Sequence, residues 1–340
     1  MEKVGFGVIG AGIWGTVHAR VYAEDPRVRL VAICDIDRKK AKEVADKFGA
    51  ESYYTDFQEL VDNPDITAVS VATPDFAHFQ PAMAAINKGK HLLIEKPIAT
   101  RVEEAAKILE EAKKTKIKLM VDFHNRWNPC FLKIKSSIEK GEVGEVSLIY
   151  LRLSNPSVVP LSWFSWSGKS SVAWFLGSHT VDLARWLLKD EAKKVYCVSR
   201  SKLLRGKGVN TPDFFESIIE FEKGAVVVME NAWILPETEP NIVDFKCQVI
   251  GSKGSMCADL SHHRALEKYT EEKAEYPDLF ALNEIYGKLT GFAFHSIEHF
   301  IDCVIEDKEP ISTGKDGLEV TKIICAMEES ILSGNPVRIR

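Results

Sequence analysis

A glycine-patterned turn between an apolar strand and a helix constrains this chain more than any other feature. Val4 to Ile9 reads as a buried strand, Gly10-Ala11-Gly12-Ile13-Trp14-Gly15 follows at once, and Thr16 to Ala23 has helical character. This is G-x-G-x-x-G in strand–turn–helix context. Gly10 permits the tight turn and Gly12 lets the backbone approach a pyrophosphate. Gly15 lets the helix pack close, and Ile13 and Trp14 fill the same loop. The helix start offers N–H groups and a positive dipole end to phosphates. Taken alone, the pattern also fits a turn with no ligand. The next strand, Val28 to Cys34, ends at Asp35, about 20 residues past Gly15, where an acid meets ribose hydroxyls in a dinucleotide site. Asp35 or Asp37 could instead cap the helix starting near Arg38. Asp37 suits that cap better, which leaves Asp35 for the ribose.

Strands and helices then alternate. Arg38 to Phe48 reads as helix, Glu51 to Tyr54 as strand, Asp56 to Val61 as a short helix, and Ile66 to Ala72 as a buried strand closed by Thr73-Pro74. Asp75 to Lys88 reads as a helix bent or restarted at Pro81. His91 to Ile94 is a short apolar strand that delivers Glu95-Lys96-Pro97. Thr100 with Glu103 resembles a capping box for a helix to Lys114, and Leu119 to Phe123 is one more strand. Such alternation means a doubly wound parallel sheet. Gly10, Asp35, Thr73 and Glu95 should share its carboxyl edge, where open α/β sheets bind ligands. Thr73 and Pro74 would line a cofactor crevice. His78 either faces that crevice or is a surface residue. Asp35 favours NAD because a carboxylate repels a 2′-phosphate; Arg38, Lys39 and Lys40 leave NADP open.

From Asn125 the pattern changes. Trp127 to Glu139 is helical, Val146 to Leu153 alternates as a strand, and Asn155 to Gly177 is irregular and aromatic. Ser178 to Leu188 is helical. Lys194 to Ser201, Phe214 to Phe221, Ala225 to Ala232, Val243 to Ile250 and Ser255 to Asp259 are strand-like, with turns at 222–224 and 251–254. Consecutive strands without crossover helices predict an α+β domain with a large open antiparallel sheet. Two helices, Phe294 to Glu306 and Gly317 to Ser333, precede a last strand from Pro336. With 340 residues, two domains are expected, at 1–123 and 124–340, with a C-terminal helix able to pack back on the first.

The balance of 44 Lys and Arg against 49 Asp and Glu gives a net charge of −5, which argues against a nucleic-acid binder. No apolar run reaches membrane-span length, and the N-terminus enters a strand without signal-peptide character. Seven scattered cysteines without C-x-x-C argue against a disulfide framework or zinc site and point to the reducing cytoplasm. No metal is expected.

In the second half, His179 and Asp182 lie three residues apart on one helix and share a face. An imidazole beside a carboxylate can take a proton from an alcohol near neutral pH; the pair could equally cap a helix or satisfy a buried contact. The irregular segment before it holds Trp163, Trp166 and Trp174. These are either core residues or a wall on which a sugar ring stacks.

The ordered set Gly10-x-Gly12-x-x-Gly15, Asp35, Thr73-Pro74-x-x-x-His78, Gly89-Lys90-His91, Glu95-Lys96-Pro97 and His179-x-x-Asp182 resembles the Gfo/Idh/MocA family of oxidoreductases. The resemblance spans essentially the whole chain, including the 312–317 and 334–337 tail motifs. It implies a Rossmann domain with bound nicotinamide cofactor, Glu95 and Lys96 beside nicotinamide ribose and substrate, and a cis bond before Pro97. It makes Arg126, in Asn125-Arg126-Trp127-Asn128-Pro129, a candidate contact to cofactor and substrate. The chain departs from the family just before His179. Many relatives have a triple-glycine run and an Asp or Asn four residues ahead of that histidine; here Phe175 holds the polar position. That counts against inositol as the substrate and makes Lys169 and Trp174 candidates for a different contact.

These readings predict an NAD-linked dehydrogenase of a sugar, sugar acid or cyclitol. His179 would accept the hydroxyl proton, Asp182 would orient it, and Lys96 would polarise the oxygen. A non-catalytic sugar sensor on the same fold is the alternative. A half-covered open sheet also predicts a homodimer or homotetramer.

Overall fold

The computed structural model describes residues 3–261 and 266–340. In chain order the first elements are β1 (Val4–Ile9), α1 (Ile13–Glu24), β2 (Val28–Cys34), α2 (Arg38–Phe48), β3 (Ser52–Tyr54), α3 (Phe57–Asp62), β4 (Ala68–Val71), α4 (Phe79–Asn87), β5 (His91–Ile94), α5 (Val102–Thr115) and β6 (Leu119–Val121). Then come α6 (Pro129–Glu139), β7 (Val146–Ser154), α7 (Ser178–Leu188), β8 (Ala192–Arg200), α8 (Leu203–Gly206), β9 (Phe214–Phe221), β10 (Val226–Ala232), β11 (Asp244–Gly251) and β12 (Ser255–Asp259). Two small hairpins, β13 (Lys268–Tyr269) with β14 (Ala274–Glu275) and β15 (Asn283–Ile285) with β16 (Lys288–Thr290), precede α9 (Phe292–Ile305), α10 (Gly314–Ser333) and β17 (Val337–Arg338).

Contacts divide the chain into two units: Met1–Trp127 with Ala281–Thr321, and Asn128–Phe280 with Lys322–Arg340. Segment 281–321, expected with the second domain, thus falls in the first. The reason is apolar burial. Ile297, Phe300 and Ile301 of α9 join Phe6, Tyr22 and Leu93 in one buried cluster, with the Phe6 and Phe300 rings edge-to-face at 6.0 Å. A buried phenylalanine of this kind is worth about 3–5 kcal/mol relative to alanine. α10 begins in the first unit: Thr321 Oγ1 donates to Ala99 O, and Ser312 Oγ to Val121 O.

The first unit's sheet has the order β3-β2-β1-β4-β5-β6, all parallel. Its strands are apolar because both faces are covered; β4 and β6 are buried throughout. Local chemistry fixes the ends. Asp37 caps α2, accepting the Lys39 and Lys40 N–H groups, and Gly49 ends that helix at φ +70°. The helix expected from Asp75 opens with a short 3-10 turn, Asp75–Ala77, and restarts at Phe79, so that Pro81 sits in its first turn, where proline is tolerated. α5 starts one residue past the expected capping box, with Arg101 at the cap position.

The second unit's sheet runs β12-β11-β7-β10-β9-β8-β17. It is mixed rather than wholly antiparallel, because β7 and β10 pair in parallel. The excursion from β7 through α7 supplies the crossover that a parallel pair requires. Ile149, Leu151, Ile219, Val227, Met229 and Val249 are buried on one face, while Tyr150, Tyr196 and Ile218 alternate outward and remain exposed.

Candidate active site

In the first unit the glycine turn has the geometry its sequence demands. Gly10 adopts φ +101°, and a Cβ on Gly15 would lie 1.6 Å from Gly10 O. At Gly12 a Cβ would meet nothing within 4 Å. Gly12 also caps α1 without any side-chain hydrogen bond, so the helix start presents backbone donors to open space. This suits a pyrophosphate. Ile13 is exposed, and Trp14 stacks on His124 at 5.0 Å.

Asp35 is not free, as the sequence suggested. Its carboxylate accepts the Ala11 N–H at 2.7 Å and the Asp37 N–H at 2.8 Å, tying the glycine turn to the end of β2. Each oxygen keeps a second lone pair for a ribose hydroxyl. Two of the three basic residues that left NADP open have local partners: Arg38 lies over the Tyr53 ring, and Lys39 lies 3.8 Å from Glu43.

His78 requires correction. It is buried, and its Nδ1 and Nε2 lie 2.7 and 2.8 Å from the carbonyl oxygens of Pro97 and Thr73. It clamps two loops together and presents neither nitrogen to a ligand. Thr73 Oγ1 donates to Ala77 O, and Pro74 precedes the 3-10 turn. The Lys96–Pro97 bond is cis.

Glu95 and Lys96 end β5, both nearly buried. Burial works to raise the Glu95 carboxyl, but the His18 hydrogen bond and the Lys96 charge outweigh it and hold it below the usual range. Burial pulls the Lys96 ammonium down, while Glu95 and Asp75 pull it back up. Arg126 is also corrected. Its guanidinium pairs with Asp316 at 3.1 Å and donates to Ile311 O at 2.8 Å, which makes it an internal post holding the start of α10.

In the second unit, His179 and Asp182 occupy the first turns of α7, both buried. The segment before them is less irregular than expected. Val159–Trp163 and Ala173–Gly177 form π-helical turns, the second running directly into α7; such widened turns are frequent at functional sites. The α7 start is strapped to the sheet. Thr180 Oγ1 lies 3.3 Å from Asn231 Oδ1 and Gly177 is seated against the same side chain, while Asn231 Nδ2 donates to Leu153 O of the neighbouring strand.

The expected aromatic wall is rearranged. Trp174 is buried and donates its indole N–H to Glu328 at 2.9 Å, so it is a packing residue rather than a platform. Trp163 and Lys169 are exposed. The aromatic cluster comprises Phe164, Trp166, Phe175 and Trp233, with ring centroids 4.8–6.2 Å apart. Phe175 and Trp233 were not foreseen there. Nor were His18, Tyr22, Ser70, Asp122 and His124, buried around Glu95. The signal for Asp122 was present: like Glu95, it directly follows an apolar parallel strand.

Residues 4–123 match the Gfo/Idh/MocA family model described as an oxidoreductase family with an NAD-binding Rossmann fold, and residues 131–257 match the Gfo/Idh/MocA C-terminal domain. The chain belongs to this family of NAD-binding oxidoreductases. It is 28% identical over 339 residues to inositol 2-dehydrogenase of Rhizobium meliloti, covering 99% of both chains. It is 34% identical over 203 residues to levoglucosan dehydrogenase of Pseudarthrobacter phenanthrenivorans, covering 55% of this chain and 52% of that one. The crystal structure of scyllo-inositol dehydrogenase from Lactobacillus casei, with bound NAD(H) and scyllo-inositol, shares the fold with a TM-score of 0.85 over 99% of each chain, at 19% identity.

Burial drives the His124 imidazole down from 6.5 to about 4; Glu95 opposes this and Lys96 adds to it. Below about 6.5 the unfolded chain binds a proton that the folded chain refuses until about 4. Stability from this group is therefore complete above 6.5 and is lost as pH falls between those values. In urea unfolding at pH 7 and pH 5, the wild type should lose on the order of 2 kcal/mol more than His124→Asn. Equal losses would contradict the assignment.

Proposed function

We propose that this dehydrogenase moves hydride between a secondary alcohol of a sugar, sugar acid or cyclitol and the nicotinamide of NAD. The observation that carries the reading is a nearly buried lysine beside a buried glutamate at the carboxyl end of β5, in the sheet whose glycine turn suits the cofactor. NAD, when bound, supplies the hydride acceptor. Gly12 and the start of α1 hold its phosphates, and Asp35 holds the ribose. Lys96 stabilises negative charge on the substrate oxygen, with Glu95 fixing the ammonium. His179 accepts the hydroxyl proton, and Asp182 orients it. Phe175 offers a ring where many relatives carry Asp or Asn, which supports a substrate presenting a C–H face there rather than a further hydroxyl. The inositol and levoglucosan dehydrogenases among the relatives support the cyclic polyol class. They give no support to a non-catalytic sensor. The seven free thiols suit the reducing cytosol, and among the described residues no helix is long and apolar enough to cross a membrane.

Lys96→Ala and His179→Ala should each lower kcat by about 10²–10⁴-fold while NAD binding, read by calorimetry, persists. The wild type should reduce NAD with some member of a panel of cyclitols, aldoses and sugar acids, and should prefer NAD to NADP. Unchanged turnover in either variant would overturn the assigned roles.

We further infer that the open sheet face pairs two copies of this chain, as a homodimer or within a homotetramer. Tyr196, Ile218, Val228 and Tyr150 align across four neighbouring strands. A second row, Glu216, Glu230, Arg152 and Lys246, runs alongside. Acids at one end and bases at the other complement each other under a two-fold axis. Light scattering should give two or four chain masses, falling to one for Ile218→Arg. A monomeric wild type would contradict the pairing.

A further inference from the structure

The first unit buries more ionisable chemistry around Glu95 than cofactor binding requires. Glu95 and Asp122 end the adjacent strands β5 and β6, and His18 of α1 faces both. His18 Nε2 is 3.1 Å from Glu95 Oε1 and 3.9 Å from Asp122 Oδ2. The three groups' ligating atoms all lie within 4.8 Å of one another. His18 and Asp122 are fully buried.

The hydrogen bonds can run in one direction with every proton used once. Tyr22 O–H donates to Ser70 Oγ, Ser70 O–H to His18 Nδ1, and His18 Nε2–H to Glu95. That chain ends on Glu95 and satisfies its charge. Among the described residues nothing comparable serves Asp122, whose two oxygens have no hydrogen-bond partner there. The nearby Ser296 hydroxyl spends its proton on Ala293 O at 2.9 Å. An ionised carboxylate buried without donors costs several kcal/mol or more, and two carboxyls this close resist ionising together.

The groups that act on Asp122 are Glu95 and Lys96 from the β5 end, His18 and Tyr22 from α1, and Ser296 from α9. Burial and the Glu95 charge push its carboxyl well above the usual range, against the pull of the Ser296 hydroxyl and the Lys96 charge. A divalent ion would need the His18 Nε2 lone pair; the 3.1 Å contact to Glu95 uses that nitrogen as a donor instead.

We propose that Asp122 keeps its proton in the folded enzyme, leaving Glu95 as the single negative charge at the end of β5. The consequence for catalysis rests on the reading that Lys96 acts on the substrate oxygen; the protonation state does not.

The test is infrared spectroscopy of the purified enzyme at pH 7 together with its pH–rate profile. The wild type should show the carbonyl stretch of a protonated carboxylic acid, and Asp122→Asn should lack it. Should that variant fail to fold, ¹³C-aspartate labelling of the wild type must shift the same band. The alkaline limb of kcat should stay in place in Asp122→Asn, because one neutral group replaces another. Were Asp122 ionised, removing its charge would destabilise the Lys96 ammonium and move that limb to lower pH. A missing acid band, a moved limb, or a stoichiometric metal in elemental analysis would overturn the proposal. An acid band in an enzyme whose Lys96→Ala variant turns over normally would leave the protonation standing and remove the role of Lys96.

Discussion

The arrangement of the first unit depends on burying Lys96 next to Glu95. A desolvated ammonium beside a carboxylate persists only where geometry and hydrogen bonds offset the loss of water. The surrounding sequence supplies them. His18 donates to Glu95 from α1, and Ser70 and Tyr22 hold the far side of that imidazole. His78 contacts the carbonyl of Pro97 just beyond. α9 closes the apolar core that keeps water out. Removing one member leaves another buried polar group without its partner, so these residues act as a set.

Much of this frame was legible in the sequence because it rests on local rules. Glycine spacing after an apolar strand, an acid at the end of the next strand, and strands alternating with helices each have a near-neighbour physical cause. Asp37 was separable from Asp35 because a helix cap must lie just before its helix, and it does. What escaped was set by distant partners. Arg126 looks like a ligand contact until Asp316 arrives beside it from far along the chain. Trp174 looks like a platform until Glu328 takes its indole N–H. The segment 281–321 belongs with the first unit because apolar faces seek burial irrespective of chain order.

The second unit teaches a related point. Period-two alternation in β7, β9, β10 and β11 announced a sheet with one wet face, but alternation carries no sign of strand direction. The parallel β7–β10 pair follows from the long excursion through α7, which also carries His179 and Asp182. The π-helical turn Ala173–Gly177 ahead of α7 has no sequence signature of comparable clarity: its Gly177 seats against Asn231 and its Phe175 joins the aromatic cluster.

The proposed reaction is direct hydride transfer between a polyol carbon and NAD. A single-turnover reaction with a polyol deuterated at its carbinol carbon tests it most directly, with the product nicotinamide read by NMR. Direct transfer places deuterium at C4 of the reduced nicotinamide, on one face, with none derived from solvent. NAD bound by the protein, yet no label transferred from any cyclitol, aldose or sugar acid, would contradict it.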